Sequence, residues 1–180
     1  FNRSSSSDLD STGPVTGPQN NIILDKESLY SVGSILNCNN AKNAYNVQKE
    51  YMENNRLGIP LLFMFDVVHG FRTIFPIPLA LACSWNPDLI EETARIAAKE
   101  GSASGNNVTF APMSDLVRDP RWGRVMESQG DDPLLNALLS AAYVRGFQGN
   151  DLKDQETMAA CVKHFAGYGA SEAGRDYNTV

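Results

Sequence analysis

The sequence is short of the residues that most metal and redox chemistry uses. It has two histidines, two tryptophans and three cysteines in 180 residues. The cysteines, Cys38, Cys83 and Cys161, are odd in number and widely spaced. That excludes a disulfide framework and any CxxC metal or redox motif, and leaves three small side chains expected in the interior. No HxH or HExxH spacing occurs, so a metal site would have to be assembled from Asp66, His69 and His164. Positive charge is also scarce: 15 Lys and Arg against 21 Asp and Glu give a net charge of −6 and a pI of about 4.9. Nucleic-acid binding needs a basic footprint and is excluded on that ground. No apolar run is long enough to span a bilayer.

The chain starts at Phe1, without Met, a basic n-region or an apolar h-region, so it reads as a mature product or a fragment that displays no signal peptide. Residues 1–20 combine Arg3-Ser4-Ser5-Ser6-Ser7-Asp8 with Gly13-Pro14 and Gly17-Pro18, the composition of a flexible tail or linker. Residues 21–180 are then expected to form the folded domain, 42% of the whole sequence being hydrophobic and 20% charged.

Apolar runs and amphipathic stretches alternate along that domain. Strands are expected at 32–36, 59–65, 108–112 and 158–162. Asn40 suits the cap of a helix running to about Asn54, with Ala44, Val47 and Tyr51 on its buried face. Asn86-Pro87-Asp88 opens a second helix, supported by a Glu91–Arg95 pair one turn apart. Asp132-Pro133 opens a third, with Leu134, Leu135, Leu138, Leu139 and Ala142 as its apolar stripe and Gly146 and Gly149 marking its end. Strands alternating with helices predict parallel βα units. No glycine-rich dinucleotide fingerprint follows any strand, which favours a (β/α)8 TIM-type barrel over a doubly wound sheet. A full barrel needs about 250 residues, so this chain supplies roughly the first half, and its open edges and inner face require the rest of the polypeptide.

Barrel chemistry sits at the C-terminal ends of the strands. There the sequence delivers Asp66, His69 and Arg72 after the second strand, Arg118, Arg121, Trp122 and Arg124 after the third, and Lys163, His164 and Arg175 after the fourth. Carboxylates accept from sugar hydroxyls and cations donate to them, so the set suits a polyhydroxylated ligand. Structural readings stand beside this one: Asp66 can bond Arg72, either histidine can be a satisfied polar group, Trp122 can be core, and the arginines can pair with Asp115, Asp119 and Glu127. Asp66 is the best-placed carboxylate for a nucleophile, but no second carboxylate accompanies it at the spacing a retaining glycosidase needs.

Arg56-Leu57-Gly58-Ile59-Pro60, Asp66-Val67-Val68-His69-Gly70, Phe75-Pro76-Ile77-Pro78-Leu79, Thr109-Phe110-Ala111-Pro112-Met113, Arg118-Asp119-Pro120-Arg121-Trp122-Gly123-Arg124, Lys163-His164-Phe165-Ala166-Gly167-Tyr168-Gly169 and Gly174-Arg175-Asp176-Tyr177-Asn178-Thr179-Val180 occur in order. In this the chain, from about residue 30 to 180, resembles the N-terminal barrel of family 3 glycoside hydrolases, close to the periplasmic bacterial β-glucosidase type.

The resemblance implies a retaining, exo-acting β-glucosidase, with β-xylosides as a further substrate class, no cofactor or metal, and a periplasmic or secreted location. It implies sugar-binding roles for Asp66, Arg72, Arg124, Lys163 and His164, the last two as donors to hydroxyls, and a pocket-wall role for Arg175. It places the nucleophile and the acid/base beyond Val180, so that no catalytic residue lies in this chain. A non-catalytic carbohydrate-binding barrel and a metal-dependent barrel hydrolase are the alternatives. Gly167-Tyr168-Gly169 stands where the hexosaminidase branch has Gly-His-Gly, which disfavours N-acetylglucosaminidase activity. Gly130-Asp131-Asp132-Pro133 and Gln129 also depart from the family pattern, outside the expected pocket.

Overall fold

Asparagine and aspartate side chains start all three long helices. The structure, a computed structural model, describes residues 26–38, 40–176 and 179. The tail at 1–20 lies outside the described residues, as do Tyr177, Asn178 and Val180. After a single turn, α1 (Lys26–Leu29), and a first strand, β1 (Ser34–Leu36), comes α2 (Ala41–Asn54). Asn40 accepts from the backbone N–H groups of Lys42 and Asn43, and Ala44, Val47 and Tyr51 are the buried face. The strand β2 (Leu62–Phe65), a short α3 (Pro78–Ala82) and α4 (Pro87–Ala103) follow, the last capped by Asn86 onto Asp88 N and Leu89 N. Then β3 (Val108–Thr109), α5 (Pro133–Gln148) and β4 (Ala159–Ala160) complete the order, with the Asp132 carboxylate on Leu135 N at the start of α5.

The four strands form one parallel sheet in the order β1-β2-β3-β4. Register pairs Ile35 with Phe63, Met64 with Val108, and Val108 with Ala159. Sequential parallel strands joined through helices are the arrangement of a (β/α) barrel half. β1 and β2 begin later than expected, β3 ends earlier, and β4 is shorter at both ends. Leu61 N turns instead to the Gln48 side chain at 3.0 Å, and Pro112 has no N–H to continue β3. Beyond β3 the chains still run side by side, with Cys161 N on Ala111 O and Lys163 N on Pro112 O.

Side chains alternate across the sheet. Ile35 and Phe63 are buried beneath α2, with Val47 and Tyr51. The opposite row, Leu36, Met64, Val108 and Ala159, is only half-buried, and Leu62 is exposed. The second strand is therefore not covered on both faces by this chain.

The main core lies where α4 packs on α5, with Ile90, Ala94, Ala98, Leu139, Tyr143 and Phe147 at its centre. The expected stripe on α5 needs correction. Leu139 and Ala142 are buried, but Leu134 and Leu138 are 69% and 51% exposed. Those two form their own i,i+4 row, while the face against α4 continues instead through Tyr143 and Phe147. Gly146 also belongs to that contact and not to the helix end. A Cβ there would collide with the backbone oxygen of Glu91 and lie 2.6 Å from the Ala94 methyl. The end is marked by Gly149 alone, at φ 55°. The Glu91–Arg95 pair forms at 3.2 Å, and Arg145 of α5 reaches Glu91 at 2.8 Å. Of the three free cysteines only Cys38 is buried; Cys83 is exposed, its Sγ 3.4 Å from Leu79 O.

Candidate functional site

The C-terminal ends of β2, β3 and β4 bring together residues up to 97 positions apart. Asp66 follows β2 directly and is half-exposed, and Lys163, just past β4, reaches its Oδ1 with Nζ at 3.4 Å. The Lys163 side chain is only 14% exposed, so its ammonium group has little freedom to point elsewhere. Asp66 does not bond Arg72. The Arg72 guanidinium lies over the Phe71 ring at 5.3 Å, and its main-chain N–H donates to Glu100. Glu100 also accepts from Thr73 N and Thr73 Oγ1, both at 2.7 Å, and these bonds hold its carboxyl below the usual range, the Thr73 hydroxyl contributing most.

His164 stands next to Lys163, and the peptide bond between them is cis. Its Nδ1 is 2.7 Å from the Oδ2 of Asp115, a buried carboxylate that also accepts from the His164 main-chain N–H. Its Nε2 is 3.2 Å from Arg124 Nη1. A guanidinium only donates, so Nε2 accepts here and the ring proton sits on Nδ1.

Arg124 is held from the other side by Glu127, which takes Nε–H and Nη2–H at 2.7 Å each. This fork–fork pair keeps Glu127 below its usual range, Arg124 being the main cause, and raises the guanidinium further. The Tyr168 ring lies edge-on to His164 at 4.5 Å and beneath Arg124 at 5.5 Å.

Trp122 is not exposed for stacking. It is 1% accessible and forms a small core with Met113 and Val117. Its Nε1 donates to Asp176 Oδ1 at 2.9 Å, and Tyr168 OH donates to Asp176 Oδ2 at 2.9 Å. Asp176 is thereby held below the usual range, chiefly by the indole N–H. Arg175 beside it is exposed. Among the other arginines, Arg121 pairs with Asp119 at 2.6 Å, whereas Asp115 serves His164 and no arginine. His69 bonds Phe75 O through Nδ1 and closes its own loop. Asp66, His69 and His164 do not meet: among the described residues no group of three His, Cys, Asp or Glu side chains could hold a metal.

Sequence reasoning thus found Asp66, Arg124, Lys163 and His164, which converge. It named Asp115 and Glu127 only as arginine partners and passed over Tyr168. The weak signal for Asp115 was its place five residues after β3 begins its exit at Phe110, where the third strand delivers its polar groups.

A parallel βα sheet that gathers a carboxylate, an ammonium group, an imidazole and a braced guanidinium at its strand ends defines the class of (β/α)-barrel proteins with a polar strand-end site. Residues 20–180 match the family model described as glycosyl hydrolase family 3 N terminal domain. The chain belongs to that family. It is 45% identical over 149 residues to a periplasmic β-glucosidase of Salmonella typhimurium, covering 83% of this chain and 20% of that protein. It is 36% identical over 146 residues to a putative β-xylosidase of Formosa agariphila, covering 78% and 19%. The crystal structure of a β-glucosidase from Listeria innocua in complex with isofagomine superposes with a TM-score of 0.88 at 53% identity, covering 92% of this chain and 24% of that one. The chain therefore spans about a fifth of the length of these curated relatives. No described helix is long and apolar enough to cross a membrane.

Proposed function

We propose that these residues are the sugar-holding half of a retaining, exo-acting β-glycosidase, working on β-glucosides and, as a second class, β-xylosides. The observation that carries this is the meeting of Asp66 and Lys163 at 3.4 Å across two strand ends, beside the Arg124–His164 contact at 3.2 Å. The carboxylate accepts from hydroxyls of the terminal sugar, Lys163 and Arg124 donate, and His164 lines the pocket with Nε2 turned to Arg124. Such contacts hold and distort the ring and lower the barrier where they tighten as oxocarbenium character develops. Arg175 forms the pocket wall, and Arg72 orders the loop after β2 from outside the cluster.

The chemistry itself needs two more carboxylates. A retaining mechanism requires a nucleophile and an acid/base about 5 Å apart. The carboxylates gathered here are committed elsewhere: Asp66 to Lys163, Asp115 to His164, Glu127 to Arg124. We place nucleophile and acid/base in the polypeptide beyond Val180, which also covers the half-buried row from Leu36 to Ala159. The Salmonella relative's periplasmic location, together with the family, supports a periplasmic or secreted protein.

Release of nitrophenol from an aryl β-glucoside by the full-length polypeptide tests the reading. Asp66→Ala is expected to lower kcat/KM by about 100-fold or more, the cost of a charged hydrogen bond that strengthens in the transition state. Activity unchanged in Asp66→Ala sinks the assignment. Sugar binding by the unmutated protein without hydrolysis of aryl glucosides or xylosides turns the barrel into a carbohydrate-binding module.

A further inference from the structure

Asp115 is a buried carboxylate whose side chain meets one residue among those described. Its Oδ2 accepts twice from one residue, the His164 main-chain N–H at 3.0 Å and Nδ1 at 2.7 Å. Two bonds to one oxygen fix both the backbone and the ring plane of His164. They also fix the tautomer, because a carboxylate accepts and so requires the proton on Nδ1. The opposite nitrogen then carries a lone pair, and it faces Arg124 Nη1 at 3.2 Å. Glu127 already holds Nε and Nη2 of that guanidinium, so Nε2 of His164 completes its restraint. The chain Asp115–His164–Arg124–Glu127 alternates acceptor, donor, acceptor, donor and acceptor without a mismatch. A proton on Nε2 would set two donors against each other at 3.2 Å.

We infer that Asp115 is a positioning residue that locks His164 as the Nδ1–H tautomer, so that His164 meets the site as an acceptor and holds Arg124 in place. The inference rests on the glycosidase reading only for its kinetic consequence; the tautomer is a property of the fold. His164 thereby acts on the site through Arg124: the single lone pair on Nε2 is taken by Nη1, and Lys163 and Arg124 remain the donors toward sugar hydroxyls.

The first measurement is ring nitrogen shifts by magic-angle-spinning NMR on full-length protein labelled with 15N-histidine, with His164→Phe identifying the signal by difference. The expected result is a protonated Nδ1 and a bare Nε2, with Asp115→Ala moving at least half the population away from that form. A protonated Nε2 in the unmutated protein, or a signal that Asp115→Ala leaves in place, overturns the inference. Should Asp115→Ala fail to fold, Asp115→Leu keeps a side chain branched at Cγ and removes both acceptors.

The second measurement is a kinetic cycle on aryl β-glucoside. Asp115→Leu is expected to lower kcat/KM by about 30-fold alone and by less than about 3-fold in a His164→Ala background, since residues acting as a unit are not additive. Losses that multiply would mean the carboxylate is merely structural. An inactive unmutated enzyme would count against the glycosidase reading and leave the nitrogen shifts to decide the tautomer.

Discussion

The α4–α5 pair and the loops at the strand ends are both well packed, but they are held by different kinds of information. On the helix pair, Ala94, Ala98, Leu139, Tyr143 and Phe147 repeat at helical spacing and meet face to face. Its ion pairs are exposed, Arg95 and Arg145 sharing Glu91, and such pairs are worth little. At the strand ends the segments 113–130 and 163–176 have almost no regular structure, only three 3₁₀ turns. There a small core of Met113, Val117 and Trp122 is tied by polar bonds between residues 40 to 54 positions apart. The helix pair can tolerate a lost surface contact. The loop region cannot lose its central ring, because no periodic backbone bonding stands behind it.

The largest expected effect is therefore Trp122→Ala. Removing a fully buried indole costs about 3–5 kcal/mol, and here it also frees Asp176 and one face of Tyr168. Amide exchange followed by mass spectrometry is expected to show protection lost across 113–130 and 163–176, with α4 and α5 unchanged. Exchange that rises equally in α5 would mean the two regions unfold as one unit.

A smaller effect, confined to the other region, is expected from Gly146→Val. The new side chain would meet Glu91 O and the Ala94 methyl. Overpacking a close helix contact costs about 1–3 kcal/mol. Exchange is expected to rise in 87–103 and 133–148 while aryl-glucoside turnover stays near that of the unmutated protein. Loss of turnover at retained protection would show that the helix pair sets the strand-end geometry, against the separation argued here.

That separation also explains what could be read from the sequence. The parallel alternation, the caps at Asn40, Asn86 and Asp132, and the buried face of α2 depend on neighbours within a turn or two, and each stands as expected. The family motifs located Asp66, Lys163, His164 and Arg124. What local pattern could not supply was the pairing. Asp115 looked like an arginine partner because three arginines follow it closely, yet its partner lies 49 residues away. Trp122 stands as core, as one of its readings had it, but its neighbours there, Met113 of its own segment and Tyr168 of the other, could not be read from local pattern. Leu134 and Leu138 looked like core because helical periodicity alone does not say which row faces the neighbouring helix.

The smallest expected effect uses pH to probe the loop region alone. Glu127 and Arg124 are each about a quarter exposed, and their paired bonds hold the Glu127 carboxyl below its usual range. A folded value lower than the unfolded one means that folding favours the ionised form. The stabilisation is fully present above the unfolded carboxyl value of about 4.3 and is lost as pH falls through the lower folded value. Partial exposure limits it to about 1 kcal/mol. Glu127→Gln is expected to lower the protection of 113–130 at pH 7, and thermal unfolding of that variant is expected to converge with the unmutated protein as pH falls through the lowered folded value of the Glu127 carboxyl. A gap between Glu127→Gln and the unmutated protein that does not narrow at all as the solution is acidified would mean that Glu127 acts through packing against Arg124 and Tyr168 and not through its charge.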